Sequence, residues 1–112
     1  MANALAKKLD GIQERGGVSG REVAQLLSTT PETVSRWRTG RTSPHRGNLE
    51  RILKLEWLVD QLASVYEADE ARLWLFTPNA ELDGASPAER IAEDRMDDVL
   101  AIIDRLQSGA YV

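Results

Sequence analysis

Three helix-start signals divide the chain into short segments, and they constrain its fold more than any other feature. Ser19-Gly20-Arg21-Glu22 has the spacing of a capping box, in which the serine and the glutamate satisfy each other's backbone amides. Thr30-Pro31-Glu32 and Ser86-Pro87-Ala88-Glu89 place a proline in the first helical turn, where no amide donor is needed. Elsewhere apolar residues recur every three or four positions, and no stretch alternates with period two. The sequence therefore predicts an all-α fold.

One long helix, predicted from Asn48 to about Glu67, has two apolar faces. Its broad arc is predicted to be buried and to end with Val65 and Tyr66. Three further apolar residues recur every four positions on a different face, and these are Leu49, Leu53 and Trp57. This second face needs a surface to cover it. A second copy, the preceding helices and another protein all stay open as that surface.

Residues 19–41 are predicted to form two short helices joined by a tight turn at Ser28-Thr29. Ala24 is small enough for a close helix crossing, while Val34 and Trp37 would pin the second helix to the first. The outward side chains of the second helix are predicted to contact DNA, and these are Thr30, Glu32, Thr33, Ser35, Arg36 and Thr39. Among them Arg36 is predicted to contact a base edge. Phosphate contacts are predicted for Arg38, Arg41, Thr42, Ser43 and Arg46.

The two signs of charge are segregated along the chain, although the net charge is only −4. Residues 1–54 contain ten lysines and arginines against five acidic residues, whereas residues 55–112 contain four arginines against thirteen acidic residues. This predicts a phosphate partner for the first half and a basic surface for the second. The alternative is that two ordinary surfaces differ by chance.

Few residues of this sequence could support catalysis. The single histidine, His45, lies in a Ser-Pro-His-Arg linker, where a surface position or a phosphate contact is expected. Cysteine is absent, and neither a glycine-rich phosphate loop nor a His-Glu metal motif occurs. The sequence therefore predicts a binding protein without catalytic residues, metal or cofactor. It has no membrane-spanning run and no secretory signal, which predicts a cytoplasmic location.

The segment REVAQLL…TPETVSRWRTGR…P resembles the helix-turn-helix of Xre and phage-repressor proteins. The motif's small residue, its two hydrophobic pins and its terminal Trp-x-x-Gly all have counterparts here. Ser28 departs from the pattern, because that family often has glycine in the turn. The resemblance implies DNA binding as a two-fold dimer on an inverted repeat. A helical hairpin that serves only as a scaffold is the alternative.

Residues 72–112, RLWLFTPNAELDGASPAERI…VLAIIDRLQSGAYV, resemble the C-terminal domain of the Xre–MbcA–ParS antitoxins. The resemblance implies an Xre-like domain over 1–46, a connecting or dimerisation helix over 47–67 and a toxin-binding domain over 68–112. It also implies a bacterial type II antitoxin that blocks the active-site cleft of a RES-domain, NAD-consuming toxin. Such an antitoxin would bind operator DNA to regulate its operon, as a homodimer and in higher hetero-oligomers with the toxin. The competing hypothesis is a stand-alone repressor whose acidic half dimerises or senses a ligand.

Candidate toxin contacts are the exposed Trp57 and two groups near the C-terminus. Four carboxylates fall within six residues, where they could meet a basic cleft, and these are Glu93, Asp94, Asp97 and Asp98. A solvated helix face is the alternative for them. The apolar tail could enter a pocket of the toxin or fray in solvent, and it consists of Gly109, Ala110, Tyr111 and Val112. The aromatic residues Trp74 and Phe76 are expected in the core.

Overall fold

The computed structural model describes residues 3–108, and over that range the chain is helical without a β-strand. This confirms the predicted all-α fold. Seven α-helices and one 3₁₀ turn follow each other within these residues: α1 Ala4–Gly16, α2 Gly20–Leu26, α3 Pro31–Thr39, α4 Arg46–Ala63, α5 Ala68–Phe76, the 3₁₀ turn Ala80–Leu82, α6 Pro87–Ala92 and α7 Met96–Gln107. None of them is long and apolar enough to cross a membrane.

The predicted capping boxes both form. At the start of α2, Ser19 Oγ accepts from the Glu22 amide at 3.1 Å, and Glu22 Oε1 accepts from the Ser19 amide at 3.0 Å. Ser86 and Glu89 repeat this exchange at the start of α6, with distances of 3.1 and 3.0 Å. These local bonds explain why both helix starts were predictable from four residues each.

Helix α4 is shifted from its predicted span of 48–67. It starts at Arg46, because the side chain of His45 accepts from the Asn48 amide at 3.3 Å and so caps the helix. It ends at Ala63, four residues before the predicted end. Val65 and Tyr66 therefore leave the buried arc, and they are 72% and 38% exposed. Their predicted burial is wrong.

The segment after Ser86 forms two helices. Helix α6 ends at Ala92, and α7 begins at Met96. Asp94 between them takes a left-handed backbone with φ of 61°, and the Arg95 amide donates to Arg90 O at 2.8 Å. This hydrogen bond, to the carbonyl five residues earlier, ends α6. Aspartate adopts the left-handed conformation more readily than most other residues do.

One hydrophobic core runs through the described residues, from Leu9 on α1 to Ile103 on α7. The segments predicted as three units, 1–46, 47–67 and 68–112, all contribute to it. Helix α1 packs against α4 and also against α5. At Gly17, φ is +64° and an added Cβ would lie 2.3 Å from Ala68 O, so only glycine lets α1 end this close to α5.

Candidate functional site

Helices α2 and α3 pack as the sequence predicted. Ala24, Val34 and Trp37 are buried where the two helices meet. The turn between them depends on Ser28, whose φ of 53° is the left-handed conformation that a glycine would adopt there. The Ser28 amide donates to Gln25 O at 3.1 Å, and the next amide donates to Ala24 O at 2.9 Å. Serine therefore forms the turn in place of glycine.

Most of the side chains predicted to contact DNA lie at the surface of α3 and of the segment that follows it. Those in the exposed class are Thr30, Glu32, Ser35, Arg36, Thr39, Arg41, Thr42, Ser43 and Arg46. Within residues 3–108 the side chains of Arg36, Arg41 and Arg46 form no hydrogen bond or ion pair in the protein, so their donors are available to a ligand. Thr33 is half-buried, and its Oγ1 lies 2.9 Å from that of the capping residue Thr30.

Arg38 differs from the other predicted DNA contacts. Its guanidinium forms an ion pair with Asp10 on α1, and its Nη2 donates to Gln13 Oε1 at 2.6 Å. The side chain is directed at α1 and holds α3 against it. A phosphate would have to compete with these two partners.

The four carboxylates predicted to face a toxin surround the joint between α6 and α7. Arg51 Nε lies 3.6 Å from Asp94, and Lys54 Nζ lies 3.1 Å from Asp97. Asp98 accepts from Arg90 at 2.9 Å and from Arg95 at 3.0 Å. Glu93 alone among the four has no ion pair within residues 3–108. Three of the four carboxylates are therefore paired with cations of this chain, but Asp94 and Asp97 stay 80% exposed, and exposed pairs of this kind are weak.

An apolar groove of about 690 Å³ lies between the end of α4, α5 and α7, and it is called the α5–α7 groove below. Its walls are Gln61, Leu62, Ser64, Val65, Tyr66, Trp74, Ile103, Leu106 and Gln107. A second hollow shares Tyr66 and Trp74 and extends the groove past Leu73. Leu73 and Leu106 are 66% and 49% exposed. Trp74 and Phe76, expected in the core, are half-buried against it, and Trp74 also lines the groove.

A second exposed apolar surface is the predicted stripe on α4, which is called the α4 stripe below. Leu49, Leu53 and Trp57 are 40%, 42% and 41% exposed. Ion pairs lie along the side of α4 that faces α1: Lys8 Nζ is 3.0 Å from Glu56, and Arg15 Nε is 2.6 Å from Asp60. Within the described residues the three side chains of the stripe are only partly covered.

Two polar contacts attach the first helix of the helix-turn-helix to the C-terminal half. At the end of α2, Arg51 donates to the carbonyls of Leu26, Leu27 and Ile91 at 3.3, 3.0 and 3.1 Å. Ser28 Oγ donates to Ala92 O beside it. At the start of α2, Arg72 Nη2 lies 2.5 Å from Glu22 Oε2. The turn and the cap of α2 are thus both held by residues outside the helix-turn-helix.

The Glu22 carboxylate is stabilised in its charged form by these contacts. The hydrogen bond from Arg72 is the main reason that the pKa of Glu22 lies below its usual value, and the Ser19 amide adds to the effect. The amide of Ser86 likewise lowers the pKa of Glu89. Both glutamates are cap residues, so their ionised forms stabilise helix starts.

Sequence reasoning missed the α5–α7 groove, Arg51 and Arg72. The groove had one signal, the unbroken apolar run Leu73-Trp74-Leu75-Phe76, because four consecutive apolar residues cannot all face one core from a helix. The contacts of Arg51 and Arg72 had no signal in the sequence, because their partners lie 24 to 50 residues away along the chain. The predicted tail, 109–112, lies outside the described residues.

Comparison with known proteins identifies two modules. Residues 61–109 match the family described as the antitoxin Xre/MbcA/ParS C-terminal toxin-binding domain, and residues 4–55 match a helix-turn-helix domain. The mycobacterial cidal antitoxin MbcA of Mycobacterium tuberculosis is 36% identical over 110 residues, which cover 98% of this chain and 97% of the relative. MbcA of Mycobacterium bovis gives the same values.

A solved structure extends this similarity to three dimensions. A chain in the crystal structure of the M. tuberculosis MbcT–MbcA toxin–antitoxin complex matches with a TM-score of 0.79 and 35% identity. The match covers 98% of this chain and 99% of that chain. The family expected from the sequence motifs is thereby confirmed over nearly the whole length. This chain belongs to the Xre/MbcA/ParS family of antitoxins.

Proposed function

We propose that this protein is the antitoxin of a type II system, which neutralises a RES-domain, NAD-consuming toxin and binds operator DNA to regulate its own operon. The observation that carries the proposal is the full-length similarity to a chain from a toxin–antitoxin complex. The helix-turn-helix match supports the DNA-binding part. A stand-alone repressor would not need the toxin-binding domain matched by residues 61–109.

The α5–α7 groove is the proposed docking surface for the toxin. It falls within the matched toxin-binding domain, and its exposed apolar side chains could form the centre of an interface. Residues 55–112, which contain the groove, are strongly acidic. A toxin cleft that handles the pyrophosphate of NAD needs basic side chains, so an acidic partner would be attracted to it. The tail at 109–112 is proposed to block that cleft.

The carboxylates at the joint between α6 and α7 are proposed to contribute less to toxin binding than the groove does. Asp94, Asp97 and Asp98 already have ion-pair partners within the chain, and a basic partner would compete with these for them. Glu93 stays available for such a contact, and Trp57 stays a candidate only if the toxin extends beyond the groove to the α4 stripe.

Co-expression tests the neutralising role directly. The candidate toxin, a RES-type protein from a neighbouring gene, is produced together with the intact chain or with a chain ending at Asp104. We expect the intact chain to restore growth and the truncated one to fail. A matched control, Lys54→Ala, changes an exposed ion pair outside the groove and should protect fully. Equal killing with the intact and truncated chains would contradict a neutralising C-terminal end.

Operator binding is proposed to use Arg36 on base edges, with phosphates held by Arg41, Thr42, Ser43 and Arg46. Arg36→Ala should cost about 1–3 kcal/mol and relax the preference for one base. Arg41→Ala should weaken binding to all sequences and lower the salt slope by about one unit. Titration of operator and scrambled duplexes at several salt concentrations measures both effects. An Arg36→Ala protein with unchanged affinity and preference would remove Arg36 as a base contact.

A further inference from the structure

We propose that Arg51 is a positioning residue for DNA recognition. Its guanidinium fixes the turn between α2 and α3 and so sets the direction in which α3 presents its outward side chains. One premise comes from the proposed function, namely that α3 contacts operator DNA. Arg51 itself lies on the inner side of α4 with a side chain only 18% exposed, so it acts on DNA through the turn and not by direct contact.

The turn between α2 and α3 needs support from outside. Helix α2 ends at Leu26, and Ser28 then takes a left-handed backbone with φ of 53°. A residue with a Cβ is disfavoured in this conformation, and it keeps it only where surrounding contacts compensate for the strain. Because α3 begins at Pro31, three residues later, any change in the Ser28 backbone reorients the start of α3.

Arg51 supplies contacts to this turn at three points. Its Nη1 donates to Leu27 O at 3.0 Å, and its Nη2 lies 3.3 Å from both Leu26 O and Ser28 Oγ. Ser28 Oγ accepts from Arg51 and donates in turn to Ala92 O. The two carbonyls lie at the C-terminal end of α2, where the helix itself offers no amide partner. A charged donor is therefore bound where acceptors would otherwise be unsatisfied.

The joint between α6 and α7 holds the same guanidinium from its other side. Nη2 also lies 3.1 Å from Ile91 O, and Nε lies 3.6 Å from Asp94, whose φ of 61° is left-handed as well. Arg51 is thus in contact with two left-handed turns, one before α3 and one before α7. Since Ile91 is fully buried in the common core, the end of α6 is a firm anchor for the end of α2.

The position of α3 matters more for some DNA contacts than for others. A bidentate contact between Arg36 and a base edge has strict geometry, so it tolerates little displacement of the helix. Phosphate contacts depend mainly on charge and carry no sequence information. Loosening the turn should therefore reduce the preference for the operator more than the affinity for DNA in general.

Operator discrimination tests this positioning role on the full chain. Affinity is measured for a duplex taken from the DNA upstream of the chain's own gene and for a scrambled duplex of the same composition. A variant that is merely less stable has a smaller folded fraction, which lowers both affinities equally and leaves their ratio unchanged. Arg51→Ala should lower the ratio by about tenfold, the value of one base contact.

Arg90→Ala is the matched control for general destabilisation. Arg90 is a similarly buried arginine, which donates to Leu82 O at 2.7 Å and to Asp98 at 2.9 Å, so its contacts stay within the C-terminal half. Its replacement should lower the free energy of unfolding as well, yet leave the ratio within about twofold of the parent value. Circular dichroism verifies folding. Should Arg51→Ala not fold, Arg51→Lys replaces it, since one ammonium cannot reproduce the planar fork, and its ratio should lie below that of the parent.

The possible results distinguish this inference from the proposed function. A parent chain that binds both duplexes equally would overturn operator recognition, and the positioning role with it. A parent that prefers the operator, together with a folded Arg51 variant of unchanged ratio, would overturn only the positioning role. The same holds if Arg90→Ala lowered the ratio as much as the Arg51 variant does.

Discussion

The α4 stripe and the α5–α7 groove are both exposed and apolar, yet their surroundings differ in charge. Around the stripe the signs balance, through pairs such as Lys8 with Glu56 and Arg15 with Asp60. The segment from Glu67 to Glu70, at the start of α5, contains three acidic residues and no basic one. Arg72 and Arg105, the basic residues of α5 and α7, are bound to Glu22 and Glu81. The groove region therefore keeps an excess of negative charge.

This difference predicts different partners for the two surfaces. Apolar area can supply affinity at both places, and the charge around it selects the partner. The acidic border of the groove favours a basic protein, whereas the balanced border of the stripe favours neither sign.

The largest expected effect on toxin affinity comes from changing the apolar border of the groove to a basic one. The double variant Leu73→Arg/Leu106→Arg removes two exposed anchors and adds cations where a basic toxin is proposed to dock. Toxin affinity should fall by more than about 100-fold, since loss of central contacts costs about 2 kcal/mol or more at each hot spot. Calorimetric titration against an inactive toxin measures the affinity.

Leu53→Asp is the matched control for the groove variant. It should leave the affinity of the chain for toxin within about threefold, because stripe and groove are separate. If both variants weakened toxin binding equally, the two surfaces would serve one partner and the distinction between them would be wrong.

The next largest effect tests whether stripe and groove belong to one rigid body. Arg51, on the inner side of α4, donates to three carbonyls at the ends of α2 and α6. Arg51→Ala should lower the free energy of unfolding by about 3 kcal/mol, because these acceptors lose a charged donor. Lys54→Ala, three residues on, should cost less than about 1 kcal/mol, as exposed pairs do. Urea unfolding followed by two probes gives both values.

The Arg51 experiment also has a clear contrary outcome. If tryptophan fluorescence and circular dichroism changed at different urea concentrations in the variant, its helices would not unfold as one unit. A coincident loss of both signals is expected instead, since one core spans α4 and α5.

What could be predicted from the sequence was local. The capping boxes at Ser19 and Ser86 and the proline-started α3 each depend on about four consecutive residues, and all three formed. The exposed stripe was predictable because a helix wheel needs only the spacing of Leu49, Leu53 and Trp57. The packed turn at Ser28 also followed, since serine could replace a glycine there.

The parts that were missed depend on distant residues. The early end of α4 exposes Val65 and Tyr66, and the α5–α7 groove exists only because α7 returns beside them. The break at Asp94 and the pairing of Asp97 with Lys54 turned an expected acidic patch into a joint with ion pairs. No local sequence pattern shows which basic side chains will form ion pairs with a run of carboxylates.

Ionic strength tests the charge around the groove more gently than mutation does. Association with the toxin is proposed to be steered by charge, so its rate should fall by about tenfold from low to high salt. Stopped-flow mixing at a series of salt concentrations measures this rate. A rate that does not change with salt would show that charge does not steer the encounter.

The smallest effect concerns the attachment of the groove-bearing helix α5 to α2. Arg72 lowers the pKa of Glu22 in the folded chain. The ionised pair therefore stabilises the folded chain at pH values above the unfolded pKa of glutamate, about 4.3. This stabilisation is lost as the pH falls through the lower pKa of the folded state. Arg72→Met should raise the pKa of Glu22 towards its usual value and leave the pKa of Glu89 unchanged, because Glu89 is held by Ser86. NMR titration of both carboxyl groups checks this.

The same variant should lower the melting temperature slightly at pH 7, and its difference from the parent should shrink as the pH falls below the unfolded pKa of glutamate, about 4.3. Since α5 carries Leu73 and Trp74, loosening its contact with α2 should also weaken toxin binding. An unchanged Glu22 titration in Arg72→Met would show that the Ser19 amide alone sets this pKa.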